Sequence, residues 1–361
     1  MKSANLTDIE KQKIKDLTEL NRYRQELRKS PRLRRLFFEL TLRCNENCLH
    51  CGSRCGEVSS EEMPKETYFD ILKQIKNDFD PLPTLVITGG EPLLRSDFFD
   101  IMEYAHSLGF SWGMTSNATL IDKETAEHLK TAGMSTISVS IDGTKEVHDA
   151  FRRTRDGYKR AMEGINNLIN TGFEHVQVTS VVTKNTIHKL DDLFEVLVDM
   201  DIDSWRLVGM EPIGRALDHE DIALSMDEHI ELLNYIKEKR NQGYPVLYGC
   251  AHYLGLDYER EVRDWYFLCN SGIYTASIMC NGDIGACLDI ERRPETIQGN
   301  ILKDNLKDVW INRFKIFRQS LACKNEECKS CEDKDFCEGG SYHSWDYEKN
   351  EQKVCMRDIL F

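Results

Sequence analysis

Short apolar runs alternate with longer amphipathic stretches between residues 35 and 210 of this chain. The short runs are rich in β-branched and aromatic residues and predict strands, whereas the stretches between them repeat apolar positions every three or four residues and predict helices. The predicted strands are Leu36–Leu42, Thr84–Thr88, Trp112–Thr115, Thr136–Ile141, Val176–Thr183 and Trp205–Val208. The predicted helices lie around residues 65–79, 97–107, 123–131, 158–170 and 190–200. This alternation is typical of βαβ units, and six units rather than eight predict an α/β fold with a partial, open TIM-like (β/α)6 barrel.

Three further segments flank this barrel, which we assign to residues 35–215. Residues 1–34 are highly charged and predict a helix around Glu10–Arg28. We expect it to be a solvent-exposed amphipathic helix, with a helical cap or a partner surface as the alternatives. Residues 216–264 predict a bridging helical region with a helix around Met226–Asn241. Residues 265–361 are rich in cysteine, with a hairpin expected at Ile278–Ile284. This last region has little apolar periodicity, so we expect bound metal to stabilise it.

The bulk composition limits the partners and the compartment of the protein. The chain has 361 residues, of which 40% are hydrophobic, and a net charge of −14, which argues against nucleic acid or an anionic membrane as the main partner. No apolar stretch approaches the ~18 residues that a membrane span needs, and the N-terminus lacks the apolar core of a signal peptide. We therefore expect a cytoplasmic protein. Its 13 cysteines are then expected to bind metal rather than to form disulfides.

Three cysteines, Cys44, Cys48 and Cys51, follow the first predicted strand in a C-x3-C-x2-C run. Four cysteines are the usual complement of a four-iron cluster, so three leave one iron without a protein ligand. A zinc site completed by His50 or Cys55 is the alternative. The run resembles the signature of the radical S-adenosylmethionine (SAM) superfamily, in which SAM chelates the open iron. The resemblance implies a SAM-binding [4Fe–4S] cluster on the three cysteines and requires no ligand role for Cys55.

A second stretch resembles a SAM-binding motif of the same superfamily. Gly89-Gly90-Glu91-Pro92 ends the second predicted strand. Its two glycines allow a ligand to approach the backbone closely, and Glu91 offers a carboxylate to an ammonium group. The resemblance implies that this tetrapeptide binds the amino group of SAM. It also implies that His50, which stands where the family usually has an aromatic residue, packs near the adenine.

The ends of the third and fourth predicted strands add further candidates. The run around Asn117 resembles a Thr-Asn-Gly motif of the family, and we take it as support for the strand order rather than as a ligand site. Alternation places Ser138, Ser140 and Asp142 on one face of the fourth strand; the resemblance favours Ser140 as a SAM contact, and an Asx turn at Asp142 is the alternative. Arg152 lies in a run resembling His-Asp-x-x-Arg, which implies a pair with the SAM carboxylate, with a surface ion pair as the alternative.

The C-terminal cysteines resemble the SPASM extension of radical SAM enzymes, which holds two auxiliary [4Fe–4S] clusters. The resemblance assigns the outer cluster to four cysteines, with zinc as the alternative: Cys328, Cys331, Cys337 and Cys355. It assigns Cys269 and Cys287 to the inner cluster. The family has a further cysteine where this chain has Ser341, and we expect Cys280 to be the third inner ligand.

Other arrangements of the inner cluster stay open. An iron left open for substrate, ligation by Ser341 and the absence of this cluster are the alternatives. If Cys280 is not a ligand, Cys250 and Cys323 are the remaining candidate cysteines.

The two resemblances together span residues 35–361 and imply an enzyme. In the family, the reduced cluster cleaves SAM, and the 5′-deoxyadenosyl radical removes a hydrogen atom from the substrate. SPASM enzymes mostly modify peptides. We therefore expect a maturase that installs a cross-link, a thioether or an epimerised centre in a ribosomally made peptide substrate, supplied with electrons by a low-potential donor such as flavodoxin or ferredoxin.

Three other functions remain as alternatives. One is an anaerobic sulfatase-type maturase that makes formylglycine, which is disfavoured because Leu288 rather than an aspartate follows Cys287. Another is an enzyme that acts on a small molecule or a haem precursor. The non-enzymatic alternative is an iron–sulfur electron carrier, which would not need the Gly-Gly-Glu-Pro motif. The sequence identifies no catalytic acid or base.

Overall fold

The structure, a computed structural model, describes residues 6–57, 61–249 and 252–360. Ten strands form one sheet: β1 Arg35–Glu39, β2 Thr84–Thr88, β3 Trp112–Ser116, β4 Met134–Ser140, β5 Val176–Val182, β6 Ser204–Gly209, β7 Val246–Tyr248, β8 Thr275–Ile278, β9 Asp283–Gly285 and β10 Gly299–Asn300. A separate antiparallel pair consists of β11 Trp345–Asp346 and β12 Glu351–Gln352.

The large sheet has the strand order β10-β9-β8-β1-β2-β3-β4-β5-β6-β7. Strands β1 to β7 run parallel to their neighbours, and β8 runs parallel to β1 on the other side. Because β7 and β10 are the two edges, the sheet does not close into a full barrel. The α/β class and the open barrel are thus confirmed. The six predicted strands are all present, and β7 and β8 extend the parallel part.

Helices connect the strands in the order that the sequence predicts. They are α1 Asp8–Lys29, α2 Lys65–Asp78, α3 Phe98–Ser107, α4 Lys123–Thr131, α5 Lys145–Phe151, α6 Gly157–Asn170, α7 Leu190–Val198, α8 Met226–Asn241, α9 Gly255–Tyr258, α10 Leu306–Asn312, α11 Glu326–Ser330, α12 Lys334–Cys337 and α13 Met356–Leu360. Helix α2 shows the packing pattern, because Tyr68, Ile71, Leu72 and Ile75 form one buried stripe against the sheet. None of the helices in the described ranges is long and apolar enough to cross a membrane.

Helix α1 is not the solvent-exposed helix that the sequence predicts. A capping box between Thr7 and Glu10 starts it, and its charged residues conceal a narrow buried face. Leu17 packs with aromatic residues of the C-terminal region. Arg24 is only 2% exposed and donates hydrogen bonds to the carbonyl oxygens of Phe267 (2.9 Å) and Phe336 (3.3 Å). The helix therefore docks onto the cysteine-rich region.

The cysteine-rich region continues the barrel sheet. The predicted hairpin is confirmed, since β8 and β9 pair antiparallel with Ile278 opposite Ile284. The region also contributes fully buried aromatic side chains, among them Phe314, Phe317 and Trp345, which join the main apolar core. The expectation of a region poor in apolar core is therefore wrong.

Candidate functional site

The loop after β1, residues 40–57, holds the first cysteine triplet at the carboxyl end of the sheet. The thiols of Cys44, Cys48 and Cys51 lie close enough to interact electrostatically. Burial raises the pKa of Cys44 to about 11 and raises that of Cys48 further. Three soft sulfur donors on one loop fit an iron–sulfur cluster with one open iron. We call residues 40–57 the cluster loop.

Cys51 differs from the other two members of the triplet. The Cys55 thiol donates a hydrogen bond to it, and the Cys55 backbone N–H lies 3.3 Å from the Cys51 Sγ. These donors, assisted by the positive charge of Arg215, lower the pKa of Cys51 to about 6 against the effect of burial. The fold thus favours the thiolate at Cys51. Cys55 itself is 3% exposed, which agrees with the predicted buried thiol.

The structure places Arg152 in a buried ion-pair network at the end of β4. Its Nε donates to Asp142 (2.7 Å), and its Nη1 donates to Glu46 (2.9 Å), which lies between Cys44 and Cys48. The Arg152 carbonyl also accepts the N–H of Asn47 in the cluster loop. Because Arg152 is only 5% exposed, these contacts are not a surface ion pair, and the predicted pair with the SAM carboxylate stays a prediction. Arg152 fastens the cluster loop to the end of β4.

Arg215 secures the same loop from the other side, a role that sequence reasoning missed. It lies in the turn Gly214–Asp218 after β6 and is 1% exposed. Its guanidinium donates to the carbonyl oxygens of Cys48 (2.6 Å) and Cys55 (2.7 Å) and to Glu57 (2.8 Å). Its backbone N–H donates to the carbonyl oxygen of Cys51 at 2.9 Å. One side chain thus holds the loop on both sides of Cys51.

The Gly-Gly-Glu-Pro motif lies directly against the cluster loop. A Cβ on Gly89 would stand 2.3 Å from the Thr41 carbonyl oxygen, and one on Gly90 would stand 2.0 Å from that of Arg43. Only glycines therefore allow the end of β2 to pack here. The Glu91 carboxylate is fully buried.

Among the residues that the structure describes, the hydrogen-bond partners of Glu91 are all neutral. They are the Ser116 hydroxyl (3.0 Å) and the backbone N–H groups of Leu93 (3.3 Å) and Asn117 (2.9 Å). Burial raises the pKa of Glu91 to about 7 despite these donors. A buried carboxylate with only neutral partners fits a cationic ligand such as the SAM ammonium group.

The remaining predicted SAM contacts lie around the same end of the sheet. His50 stacks on Phe151 with ring centroids 4.7 Å apart, and burial lowers the pKa of its imidazole to about 4. Ser140 is half-buried on β4, between the buried Val139 and Ile141. Asp142 accepts hydrogen bonds from Arg152 and from the Val181 N–H.

The four cysteines assigned to the outer auxiliary cluster line one cavity. Cys328, Cys331, Cys337 and Cys355 share it with His252 and Tyr253. Their thiols interact: burial raises the pKa of Cys337 to about 12, and Cys355, Cys328 and Cys331 add to this rise. A four-thiol donor set in one cavity fits a cluster-binding site.

The cysteines expected at the inner cluster are not all brought together. Burial, together with Tyr342, Cys269 and Cys287, raises the pKa of Tyr347, so both thiols lie near this one phenol. Cys280 packs instead with Leu42 and Cys55, beside Cys44 and Cys51.

The other residues considered for the inner cluster give no clearer ligand set. The Ser341 hydroxyl lies 3.3 Å from that of Ser344. Cys323 is exposed, and Cys250 lies outside the described residues.

A carboxylate with histidines lies between the cluster loop and the cysteine-rich region. Glu211 follows β6, and its Oε1 lies 2.8 Å from the His252 Nε2. Burial opposes ionisation of Glu211, but His252, His343 and His229 outweigh it and lower the Glu211 pKa to about 2. These residues come from four separate segments of the chain, so no sequence spacing could reveal them. They offer acid–base groups near the cluster loop, since Ile213 lies within 3.4 Å of the place of a Cβ on Gly52.

Comparisons with known proteins agree with this geometry. A model of the Radical SAM superfamily matches residues 38–197, and a model of the SPASM iron–sulfur cluster-binding domain matches residues 269–332. The AdoMet-dependent heme synthase of Nitratidesulfovibrio vulgaris is 28% identical over 326 residues, which cover 86% of this chain and 88% of that protein. The mycofactocin maturase MftC of Mycobacterium ulcerans is 30% identical over 313 residues, which cover 84% and 82%.

Solved structures share the fold at lower identity. Streptococcus suis SuiB bound to S-adenosylmethionine superposes with a TM-score of 0.72 at 21% identity, covering 90% of this chain and 77% of that one. The protein anSMEcpe with bound AdoMet gives a TM-score of 0.70 at 18% identity, covering 91% and 96%. These likenesses support the arrangement of a partial barrel followed by a cysteine-rich region.

Proposed function

Since this chain belongs to the radical SAM superfamily and carries a SPASM domain, we propose that it cleaves SAM reductively and removes a hydrogen atom from a peptide. The product would be a ribosomally made peptide with a cross-link, a thioether or an epimerised centre. The observation that carries the SAM chemistry is the cluster loop, where three thiols lie within electrostatic reach of one another beside the Gly-Gly-Glu-Pro motif. A pure electron carrier would have no use for this second motif.

Each group around the cluster loop has a role in this proposal. Cys44, Cys48 and Cys51 would hold a [4Fe–4S] cluster, and such a cluster would supply the electron for reductive cleavage of SAM. Glu91 would accept the ammonium group, and the half-buried Ser140 at the end of β4 would offer its hydroxyl to SAM. Neutral His50 offers a flat surface near the adenine. Arg152 and Arg215 position the loop through its carboxylate and carbonyl groups.

A peptide substrate is supported by two relatives. The mycofactocin maturase is named as a maturase and matches 84% of this chain. SuiB has the same fold, and one of its structures is bound to the precursor peptide SuiA. We infer that the electrons come from a low-potential donor in the cytoplasm.

A haem precursor is the second candidate substrate. The observation that favours it is the 28% identity to the AdoMet-dependent heme synthase over 86% of the chain. Both candidate functions use the same SAM chemistry, and they differ only in the molecule from which the hydrogen atom is removed. The sulfatase-type maturase is less favoured because Leu288 follows Cys287.

One experiment tests the SAM chemistry, and its extension tests the substrate. The reconstituted, reduced protein should form 5′-deoxyadenosine from SAM, and the variant Cys44→Ala/Cys48→Ala/Cys51→Ala should form none. Cleavage by the triple variant would refute the cluster-loop assignment. Mass spectrometry should then follow candidate peptides encoded beside the gene and, in parallel, iron coproporphyrin. A mass change in the peptide alone supports the maturase, and a change in the porphyrin alone replaces it with the second candidate.

A further inference from the structure

A strongly basic segment stands out in an acidic protein. Between residues 22 and 35 the chain has six arginines, one lysine and a single acidic residue, Glu26, although the whole chain carries a net charge of −14. The segment covers the second half of α1 and the connection to β1. Like charges that lie close together repel one another, so we expect this segment to have a function that outweighs the repulsion.

Five of these cations form an exposed surface, which we call the basic patch: Arg22, Lys29, Arg32, Arg34 and Arg35. Arg34 stacks over the ring of Tyr274, with its Cζ 4.3 Å from the centroid. Within the described ranges, none of the five forms an ion pair, whereas many other cations of the chain do. The patch thus keeps its full charge available to a partner.

The other face of the same helix lies against the cysteine-rich region. Arg24 and Arg28 both pair with Glu338, at 3.0 and 2.5 Å, directly after Cys337 in the chain. They line a small cavity together with Cys269 and Cys337. The basic patch is therefore separated from two predicted auxiliary-cluster ligands by little more than one helix, whose diameter is about 10 Å.

We propose that the basic patch docks an acidic electron-transfer protein of the flavodoxin or ferredoxin type. The step is the transfer of one electron from the reduced partner to a cluster of this protein, and no bond forms or breaks. The inference rests on the proposed function, because reductive cleavage of SAM is what requires a low-potential electron donor. Charge complementarity would align the partner and raise the association rate without a large apolar interface.

Other partners of a basic patch fit less well. Nucleic acid or an anionic membrane carries negative charge over an area wider than the patch and would also meet the acidic remainder of the chain, whereas a small acidic protein can contact the patch alone. An acidic segment of a peptide substrate would need to reach the cluster loop, whereas Arg34 and Arg35 lie at the amino end of β1, opposite the loop at its carboxyl end. An electron carrier has no such requirement, because it needs only to approach a cluster.

The test measures binding of a recombinant acidic flavodoxin to the reconstituted protein at low and high salt. The variant Arg22→Glu/Lys29→Glu/Arg32→Glu should bind at least tenfold more weakly at low salt and lose most of the salt dependence. A matched control reverses three exposed lysines on the barrel helices, Lys73→Glu/Lys123→Glu/Lys159→Glu. This control changes the net charge equally and should bind within about twofold of the unmodified protein.

Reduction kinetics separate docking from cluster damage. Reduced flavodoxin should bleach the iron–sulfur absorbance of the basic-patch variant more slowly than that of the control. The small cation radical of methyl viologen should reduce both variants at the same rate.

An equal loss of flavodoxin affinity in the control variant, or unchanged flavodoxin binding in the basic-patch variant, would overturn the proposal. Loss of peptide modification with unchanged flavodoxin binding would also overturn it, and would indicate that the patch binds the peptide substrate. If the unmodified protein fails to cleave SAM, the proposed function fails, whereas flavodoxin binding is scored independently of it.

Discussion

The sequence identifies Glu91 as a candidate SAM-binding residue, but it does not identify the groups that surround this carboxylate in the fold. The Gly-Gly-Glu-Pro motif identifies it, but its pKa is raised by burial and moderated by hydrogen bonds from Asn117 and Ser116 at the end of the next strand. Arg152 shows the opposite case. The sequence identifies a cation near SAM, yet the fold supplies two buried carboxylates, Glu46 and Asp142, that engage it. A pattern can name a residue type but not the groups that folding places around it.

The raised pKa of Glu91 predicts that SAM affinity depends on pH. The carboxyl is protonated below about pH 7 and ionised above it. Since only the carboxylate attracts an ammonium group, the affinity for SAM should fall by up to about tenfold per pH unit below pH 7. Equilibrium binding of SAM to the reconstituted protein between about pH 6 and 8 measures this. Glu91→Gln should bind weakly at every pH, and a Gln variant with unchanged affinity would remove Glu91 from the SAM site.

The same group has the opposite effect on the stability of the SAM-free protein. Its folded pKa of about 7 lies above the ordinary value of 4.5, so the native state binds this proton more tightly than the unfolded state. The contribution of Glu91 to the free energy of unfolding should therefore be greatest below pH 4.5 and be lost as pH rises to about 7. The Glu91→Gln variant should lack this pH-dependent contribution to the free energy of unfolding, which denaturant titration between about pH 4.5 and 7 measures.

At the scale of elements, apolar periodicity predicts the barrel well. The predicted helix at 123–131 coincides with α4 and the predicted strand at 84–88 with β2. In both elements the apolar residues recur with the period of the element and become its buried positions. Short elements were missed, as in the three-residue strand β7 and the seven-residue helix α5. The clamp on the cluster loop was missed for another reason, since Arg215 lies 167 positions from Cys48 in sequence.

The Arg215 side chain, in the turn after β6, should be required for the cluster loop to bind iron. Arg215→Met keeps much of the apolar volume but removes three side-chain hydrogen bonds, two to loop carbonyls and one to Glu57, each worth about 1.5–3 kcal/mol when a charged donor is involved. We expect this variant to lose the iron of the SAM cluster and to lose 5′-deoxyadenosine formation, with auxiliary iron retained. Iron analysis and electron paramagnetic resonance of the reduced protein measure both.

Two further variants make this result specific. Arg215→Lys should retain part of the iron, because one ammonium group cannot span both carbonyls as a guanidinium does. Arg155→Met removes a 98% exposed arginine and should behave like the unmodified protein. Normal iron content and SAM cleavage in Arg215→Met would show that the loop keeps its shape without this clamp.

At the scale of the whole molecule, the cysteine-rich region and the barrel share one sheet. Strand β8 pairs with β1, so the predicted boundary at residue 264 separates two parts of a continuous structure and remains a prediction. Parallel pairing between strands so distant in sequence cannot be read from local patterns, which is why the joined sheet was not foreseen. It also explains the position of Cys280, because the end of β8 carries this thiol to the cluster loop.

We expect this arrangement to hold one auxiliary cluster. Four thiols line the outer cavity, whereas Cys269 and Cys287 lie near Tyr347 and Cys280 packs beside the cluster loop, and a four-iron cluster usually takes four thiolates. The variant Cys44→Ala/Cys48→Ala/Cys51→Ala should therefore retain about four iron ions per chain. Adding Cys280→Ala should leave this number unchanged, because Cys280 packs beside Cys55.

Adding Cys337→Ala to the same triple variant is the matched comparison, and it should abolish the remaining iron. Metal analysis after anaerobic purification, together with Mössbauer spectra, distinguishes these cases and would reveal zinc in place of iron. About eight iron ions in the triple variant, falling to about four with Cys280→Ala, would restore an inner cluster with Cys280 as its ligand. That result would require the end of β8 to move away from the cluster loop when iron binds, since the thiol now lies on the side of Leu42 and Cys55.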